Sequence, residues 1–134
     1  MSCVQKPLNP IVKWSGGKSD EISKIIPYLP ETYDTYLEPF IGGGALYFHL
    51  DPHKAVINDV HSELTDFYQS MKDGHANDIY NFMKENPNEE TTYYIVRSLP
   101  HDDPLDNAKR FYYLRKTCYR GMLRYNKKGE FNIP

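Results

Sequence analysis

Apolar residues along this chain of 134 follow first a mixed and then a purely helical spacing, and the change divides the sequence. Ile22, Ile25, Ile26 and Leu29 recur at the i, i+3, i+4, i+7 interval of a helix face. Ser19 or Asp20 stands where an N-cap belongs, and Pro27 and Pro30 press on the far end, so this first helix is expected to stop near residue 28. Residues 35–40 read as a strand running into Gly42, Gly43 and Gly44. Residues 45–50 read as a short helix closed by Asp51-Pro52, and residues 55–57 as a second strand ending at Asn58-Asp59. That order makes a βαβ unit. Beyond Asp59 the helical period takes over. Leu64, Phe67, Tyr68 and Met71 mark one helix, Ile79, Phe82 and Met83 another, and residues 93–96 a short third. Asp103-Pro104 supplies an N-cap followed by proline at the first helical position, opening a helix to about Cys118. Ala108, Phe111, Leu114 and Cys118 line one side of it, with Lys109, Lys116 and Arg120 opposite. Residues 126–129 form a turn between 123–125 and 130–132, a hairpin. Residues 1–10, with two prolines, are an irregular lead-in.

Composition narrows the class. At 40% hydrophobic and 25% charged, the chain is neither disordered nor membrane-embedded in character, and its length suits one domain with a real core. No apolar run nears the roughly 20 residues of a membrane helix, and MSCVQKPLNP lacks the apolar centre of a signal peptide, so an intracellular, cytoplasmic address is expected. Cys3 and Cys118 are the only cysteines and read as reduced thiols. The five histidines form no ligand set of the H-E-x-x-H kind, and a metal enzyme is not expected.

Net charge is only -2, yet Lys109, Arg110, Arg115, Lys116, Arg120, Arg124, Lys127 and Lys128 fall in one stretch without an acid. The other eight basic residues share the rest of the chain with all eighteen acids. Such asymmetry is expected when one surface meets a polyanion; a solvated helix face is the alternative.

Two segments suggest ligand chemistry. Gly42, Gly43 and Gly44 let backbone approach a ligand and expose N–H groups at a helix N-terminus, where the dipole favours negative charge. Asp59 ends the next strand, where a carboxylate can accept hydrogen bonds from both hydroxyls of a ribose. The strict G-x-G-x-x-G fingerprint is absent, and a tight turn is the alternative. KWSGGKS, residues 13–19, has the flavour of a phosphate loop, but Val12 stands where G-x-x-x-x-G-K-[ST] requires glycine, so an ATP-binding reading fails. Trp14 remains as cover for a ligand surface and Lys18 as a partner for a carboxylate.

Taken together, IVKWSGGK, LEPFIGGGA, AVIND and YRGMLRYNKKGEFNIP resemble, in this order and spacing, the Dam-like DNA adenine-N6 methyltransferases, from about residue 11 to the last residue. The resemblance implies an α/β fold: a partial Rossmann-like methyltransferase core over residues 1–60 and an inserted, mainly helical target-recognition domain over residues 61–134, ending in a basic hairpin. It implies S-adenosylmethionine as cofactor, held by Trp14, Lys18, Phe40, Gly42 and Gly44, with the ribose on Asp59 and the glycines making room for the ligand. It further implies double-stranded DNA as partner. Tyr119, Met122 and Arg124 match an aromatic that enters DNA, an apolar residue on a thymine methyl and an arginine on guanine, pairings that suit the major-groove code. Arg120 and Met122 stand where the family usually has asparagine and leucine; a GATC-like target follows from the rest.

In that family the adenine is flipped out and its amine met by [DN]-P-P-[YFW], after which the methyl moves in line without a metal. No such tetrapeptide occurs in these residues. Asp51-Pro52-His53 and Asp103-Pro104-Leu105 read as caps, and Asn132-Ile133-Pro134 is no match. The expectation is therefore the N-terminal half of an adenine methyltransferase of restriction-modification type, inactive alone and needing a C-terminal catalytic segment in cis or trans. A non-catalytic DNA-binding module is the competing reading.

Overall fold

The computed structural model describes residues 6–134; Cys3 and the first residues of the lead-in lie outside them. The chain divides into two compact units, one ending at Val60 and the other spanning His61–Pro134.

In the first unit, helix α1 (Ile22–Ile25) is flanked by tight turns at Ser19–Glu21 and Ile26–Tyr28. The helical stretch ends at Tyr28, as the prolines demand. Its start differs from expectation. Lys18 holds the cap position because its carbonyl accepts from Glu21 N at 2.9 Å, and neither Ser19 nor Asp20 caps with its side chain. So short a helix buries none of its isoleucines. Strand β1 (Tyr36–Glu38) and strand β2 (Ala55–Ile57) pair in parallel, Leu37 opposite Val56. Helix α2 (Ala45–Leu50) connects them, as βαβ geometry requires. It starts from Gly44 at φ 73° and stops at Asp51, whose φ of 45° ends the helix. The described residues of this unit bury only Val12, Ile41 and Ala45 among apolar side chains.

The second unit is helical: α3 (Ser62–Lys72), α4 (Ala76–Glu85), α5 (Glu90–Arg97) and α6 (Pro104–Thr117). Asp103 caps α6 as the sequence predicts, its carboxylate accepting from the N–H groups of Leu105 and Asp106, both at 3.1 Å. Leu64 and Phe67 of α3 and Val96 of α5 are buried with Ala108, Phe111 and Leu114 of α6. The predicted hairpin forms around Gly129 at φ 79°, with Tyr125 bridged to Phe131 and Asn126 N donating to Glu130 O at 2.9 Å.

The two-sided picture of α6 needs correction. Its apolar side is buried as expected, but Asn107, Arg110, Tyr113 and Arg115 are buried too, so neighbouring elements enclose most of its circumference. Two of the eight cations in the basic stretch are therefore internal. Arg110 pairs with Glu63 at 3.1 Å and donates to the Arg97 carbonyl, while Arg115 donates to the carbonyls of Gly121 and Met122. Buried guanidinium groups need such partners, and here α3 and the end of α5 supply them to Arg110 and the turn after α6 to Arg115.

Candidate functional site

The loops after β1 and β2 are stitched together at the carboxyl ends of the strands, where open α/β sheets take ligands. Ile41 N donates to Asn58 O at 2.9 Å, and Gly42 N donates to Asp59 Oδ2 at 2.9 Å. A cavity of about 190 Å³ opens beside these contacts. Trp14, Lys18, Phe40, Gly42, Gly44 and Asp59, singled out from the sequence, all border it.

The glycine loop reaches this arrangement differently from the simplest reading. A Cβ on Gly42 would lie 2.9 Å from Trp14 Cδ1, and one on Gly43 would lie 3.0 Å from Trp14 Cβ. Gly42 also sits at φ 53°, a conformation that suits glycine. The missing side chains thus make room for the indole, which rests on the loop and walls the cavity. The Gly42 amide, for its part, is engaged by Asp59. The loop and the acid hold each other in place, and the cavity wall is built from both.

Glu38 also borders the cavity and was not singled out from the sequence. The available signal was its position, the last residue of β1, matching that of Asp59 just beyond β2. Tyr36 donates to Glu38 Oε2 at 2.5 Å. Burial, reinforced by this carboxylate, drives the Tyr36 phenol well above its ordinary range. The cavity therefore offers two carboxylates for hydroxyl or ammonium groups, one ammonium for an anion, and an indole wall. At about 190 Å³ it lies below the roughly 300 Å³ at which small-molecule pockets begin. Among the described residues, no group of three or more histidine, cysteine, aspartate or glutamate side chains is placed to hold a metal.

In the helical unit, Tyr119, Arg120, Met122 and Arg124 fall together on the segment that follows α6 and are all exposed. Arg120, at φ 52°, sets its guanidinium 5.1 Å from the centre of the Tyr119 ring. Arg124 is braced by Asn132, donating from Nε to Asn132 Oδ1 at 2.8 Å and from Nη2 to Asn132 O at 2.9 Å. Its remaining N–H groups are on the exposed side chain. Lys116, Lys127 and Lys128 are exposed as well.

Residues 14–134 match the model of the D12 class N6 adenine-specific DNA methyltransferases. The chain belongs to this family. Its relatives include the type II methyltransferase M.CviBI of Paramecium bursaria Chlorella virus NC1A, 51% identical over 129 residues, which cover 95% of this chain and 50% of the relative. Type II methyltransferase M1.LlaDCHI of Lactococcus lactis subsp. cremoris is 42% identical, covering 95% of this chain and 47% of the relative. The DNA adenine methylase of Serratia marcescens is 32% identical, covering 92% of this chain and 47% of the relative. The chain thus spans about half the length of the curated relatives it matches. For a D12-class member, the small parallel sheet with its connecting helix is a piece of an α/β methyltransferase. No helix among the described residues is long and apolar enough to cross a membrane.

Proposed function

We propose that this chain carries the cofactor half-site and the DNA reader of an adenine-N6 methyltransferase. The observation that supports this best is the cavity itself, in which a glycine loop locked to Asp59 and an indole locked to the glycine loop face a lysine and two carboxylates. That donor set fits S-adenosylmethionine. Asp59 suits the ribose hydroxyls, Lys18 the carboxylate of the amino-acid end, and Glu38 its ammonium group, while Trp14 and Phe40 shield the apolar parts. When bound, the cofactor supplies an electrophilic methyl group on a sulfonium. The cavity volume favours capture of part of it here, with the rest covered by another segment.

The helical unit is then the target-recognition domain, inserted in the sequence of the methyltransferase core and read out on double-stranded DNA. Tyr119 enters the duplex, Met122 meets a thymine methyl, Arg124 donates to guanine O6 and N7, and Arg120 adds a cation beside them, consistent with a GATC-like target. The exposed lysines meet phosphates. Acceptance of the adenine N6 protons needs the [DN]-P-P-[YFW] chemistry of a further catalytic segment, so this chain alone is expected to transfer no methyl group. An intracellular location goes with a DNA substrate.

Trp14 is the only tryptophan, and its fluorescence reports on the cavity. Titration with S-adenosylmethionine is expected to give a saturable change that is lost in Asp59→Ala. No change in the unaltered protein, combined with retained binding to duplex DNA, would instead favour a non-catalytic DNA-binding module.

A further inference from the structure

We infer that Tyr36 is a positioning residue for the cavity: its hydroxyl holds the Glu38 carboxylate ready to receive an ammonium group, and so makes the site select ligands that carry an amino-acid end. This inference rests on the function proposed above and names the residue through which that site recognises one end of its cofactor. Tyr36 and Glu38 are two apart on β1 and therefore project to the same face of the sheet. The Tyr36 hydroxyl donates to Glu38 Oε2 at 2.5 Å, the distance of a hydroxyl bonded to a charged acceptor. Among the described residues, nothing else hydrogen-bonds to the Glu38 side chain and no lysine or arginine pairs with it. Oε1 is thus left to the cavity that Glu38 borders, and its charge is unneutralised until a ligand brings a cation.

Tyr36 is itself fixed from two sides. Its backbone N–H donates to Lys54 O at 2.9 Å, next to its register partner Ala55, and its ring lies 6.2 Å from that of Tyr47 in α2. Burial, with the neighbouring carboxylate second, holds the phenol protonated, so that it acts as a donor through neutral and mildly alkaline pH. A glutamate side chain has several rotatable bonds, and a ligand that must freeze them binds more weakly than one that finds them already fixed. The other carboxylate of the cavity follows the same plan, since Gly42 N holds Asp59 Oδ2. Each acid therefore faces the cavity with one oxygen engaged from within the chain. The two differ in one respect: a main-chain amide survives substitution, whereas Tyr36→Phe deletes the phenol hydroxyl and leaves the ring against Tyr47.

The test is calorimetric titration of the whole chain with S-adenosylhomocysteine and with its desamino analogue, which lacks only the ammonium group. Tyr36→Phe is expected to weaken S-adenosylhomocysteine roughly threefold to tenfold, the cost of ordering one flexible side chain, and to leave the analogue unchanged. Glu38→Gln should show the same selectivity more strongly, and adding Tyr36→Phe to it should cost little more. A hydroxyl that only braced the strand would, on removal, weaken both ligands alike. Equal losses for the two ligands, or additive losses in the double variant, overturn the inference. A second measurement keeps the hydroxyl: with 3-fluorotyrosine at position 36, the fluorine resonance should move on addition of S-adenosylhomocysteine and stay in place with the analogue. A resonance indifferent to both also overturns the inference. Failure of the unaltered chain to bind either ligand would remove the proposed cofactor site along with it, whereas binding of both with equal losses removes the role of Tyr36 alone.

Discussion

Arg115 Nη1 donates to the carbonyl of Met122 at 2.7 Å from a side chain that is only 4% exposed. A second donor, Nη2, reaches the carbonyl of Gly121. The turn that displays Tyr119, Arg120 and Met122 is thus moulded around a buried guanidinium, and this shape includes the left-handed backbone of Arg120. Arg115→Met preserves bulk but leaves two carbonyls without their donor. It is expected to lower stability by about 2–3 kcal/mol in urea unfolding, the range for hydrogen bonds to a charged group. Arg120→Gly relieves the positive φ and should be neutral or slightly stabilising.

Gly42 and Gly16 form a natural comparison. Both have positive φ, 53° and 73°, but a Cβ at Gly16 would meet nothing within 4 Å, whereas at Gly42 it would strike the indole. Gly16→Ala should therefore cost about 1 kcal/mol from backbone strain alone. Gly42→Ala adds the steric conflict and should cost a further 1–3 kcal/mol by overpacking. The thermal melt gives the difference, and a shift in Trp14 emission should accompany only the second substitution.

For the proposed DNA surface, the two kinds of cation separate by experiment. Arg124→Lys, and in weaker form Asn132→Ala, which removes the brace on Nε, should relax discrimination at one guanine by about 1–3 kcal/mol. Lys127→Ala and Lys128→Ala should weaken binding to all duplexes alike and each reduce the salt dependence by roughly one phosphate contact. Competition binding at two salt concentrations resolves both effects.

The βαβ order, the bounds of α2 and β2, the Asp103 cap and the hairpin were legible because each depends on local chemistry: proline, glycine, a capping acid, a short apolar run. What escaped the sequence depends on distant partners. Arg110 and Arg115 read as surface cations because nothing beside them shows that Glu63 and the carbonyls of residues 97, 121 and 122 will meet them. Likewise, a run of three glycines announces a close approach but not what approaches, and the indole of Trp14 lies 28 positions earlier. Five of the six cavity residues, Gly42, Gly44, Asp59, Trp14 and Lys18, stood out by their own chemistry and the resemblance added Phe40; Glu38 was missed because its position at the cavity follows from strand topology, which periodicity alone does not show.

Cys118 is buried, and that burial pushes its thiol above the ordinary 9.0 despite the opposing pull of Arg115. In a Cys3→Ser background, the native protein should resist thiol reagents at pH 8 and react promptly once unfolded. Tyr93 behaves similarly: burial, the largest influence, raises its phenol from 10.0 to about 12. Both groups keep their protons in the folded state while the unfolded chain releases them, so the stability they contribute is intact below about pH 9. It should fall from there toward pH 12, and melts across that range, compared with Tyr93→Phe, measure the tyrosine's share.

Tyr125, in the hairpin, donates its hydroxyl to Glu63 in the first turn of α3, a partner 62 positions away. Glu63 is also where Arg110 of α6 makes its ion pair. The second strand of the hairpin is tied in as well, since Tyr93 and Arg97 of α5 both donate to the Ile133 carbonyl, so the hairpin is fully anchored only once α3, α5 and α6 have met. During synthesis, the segment proposed to contact bases is thus the last of its unit to take shape, and it stays a loose, protease-sensitive tether until then.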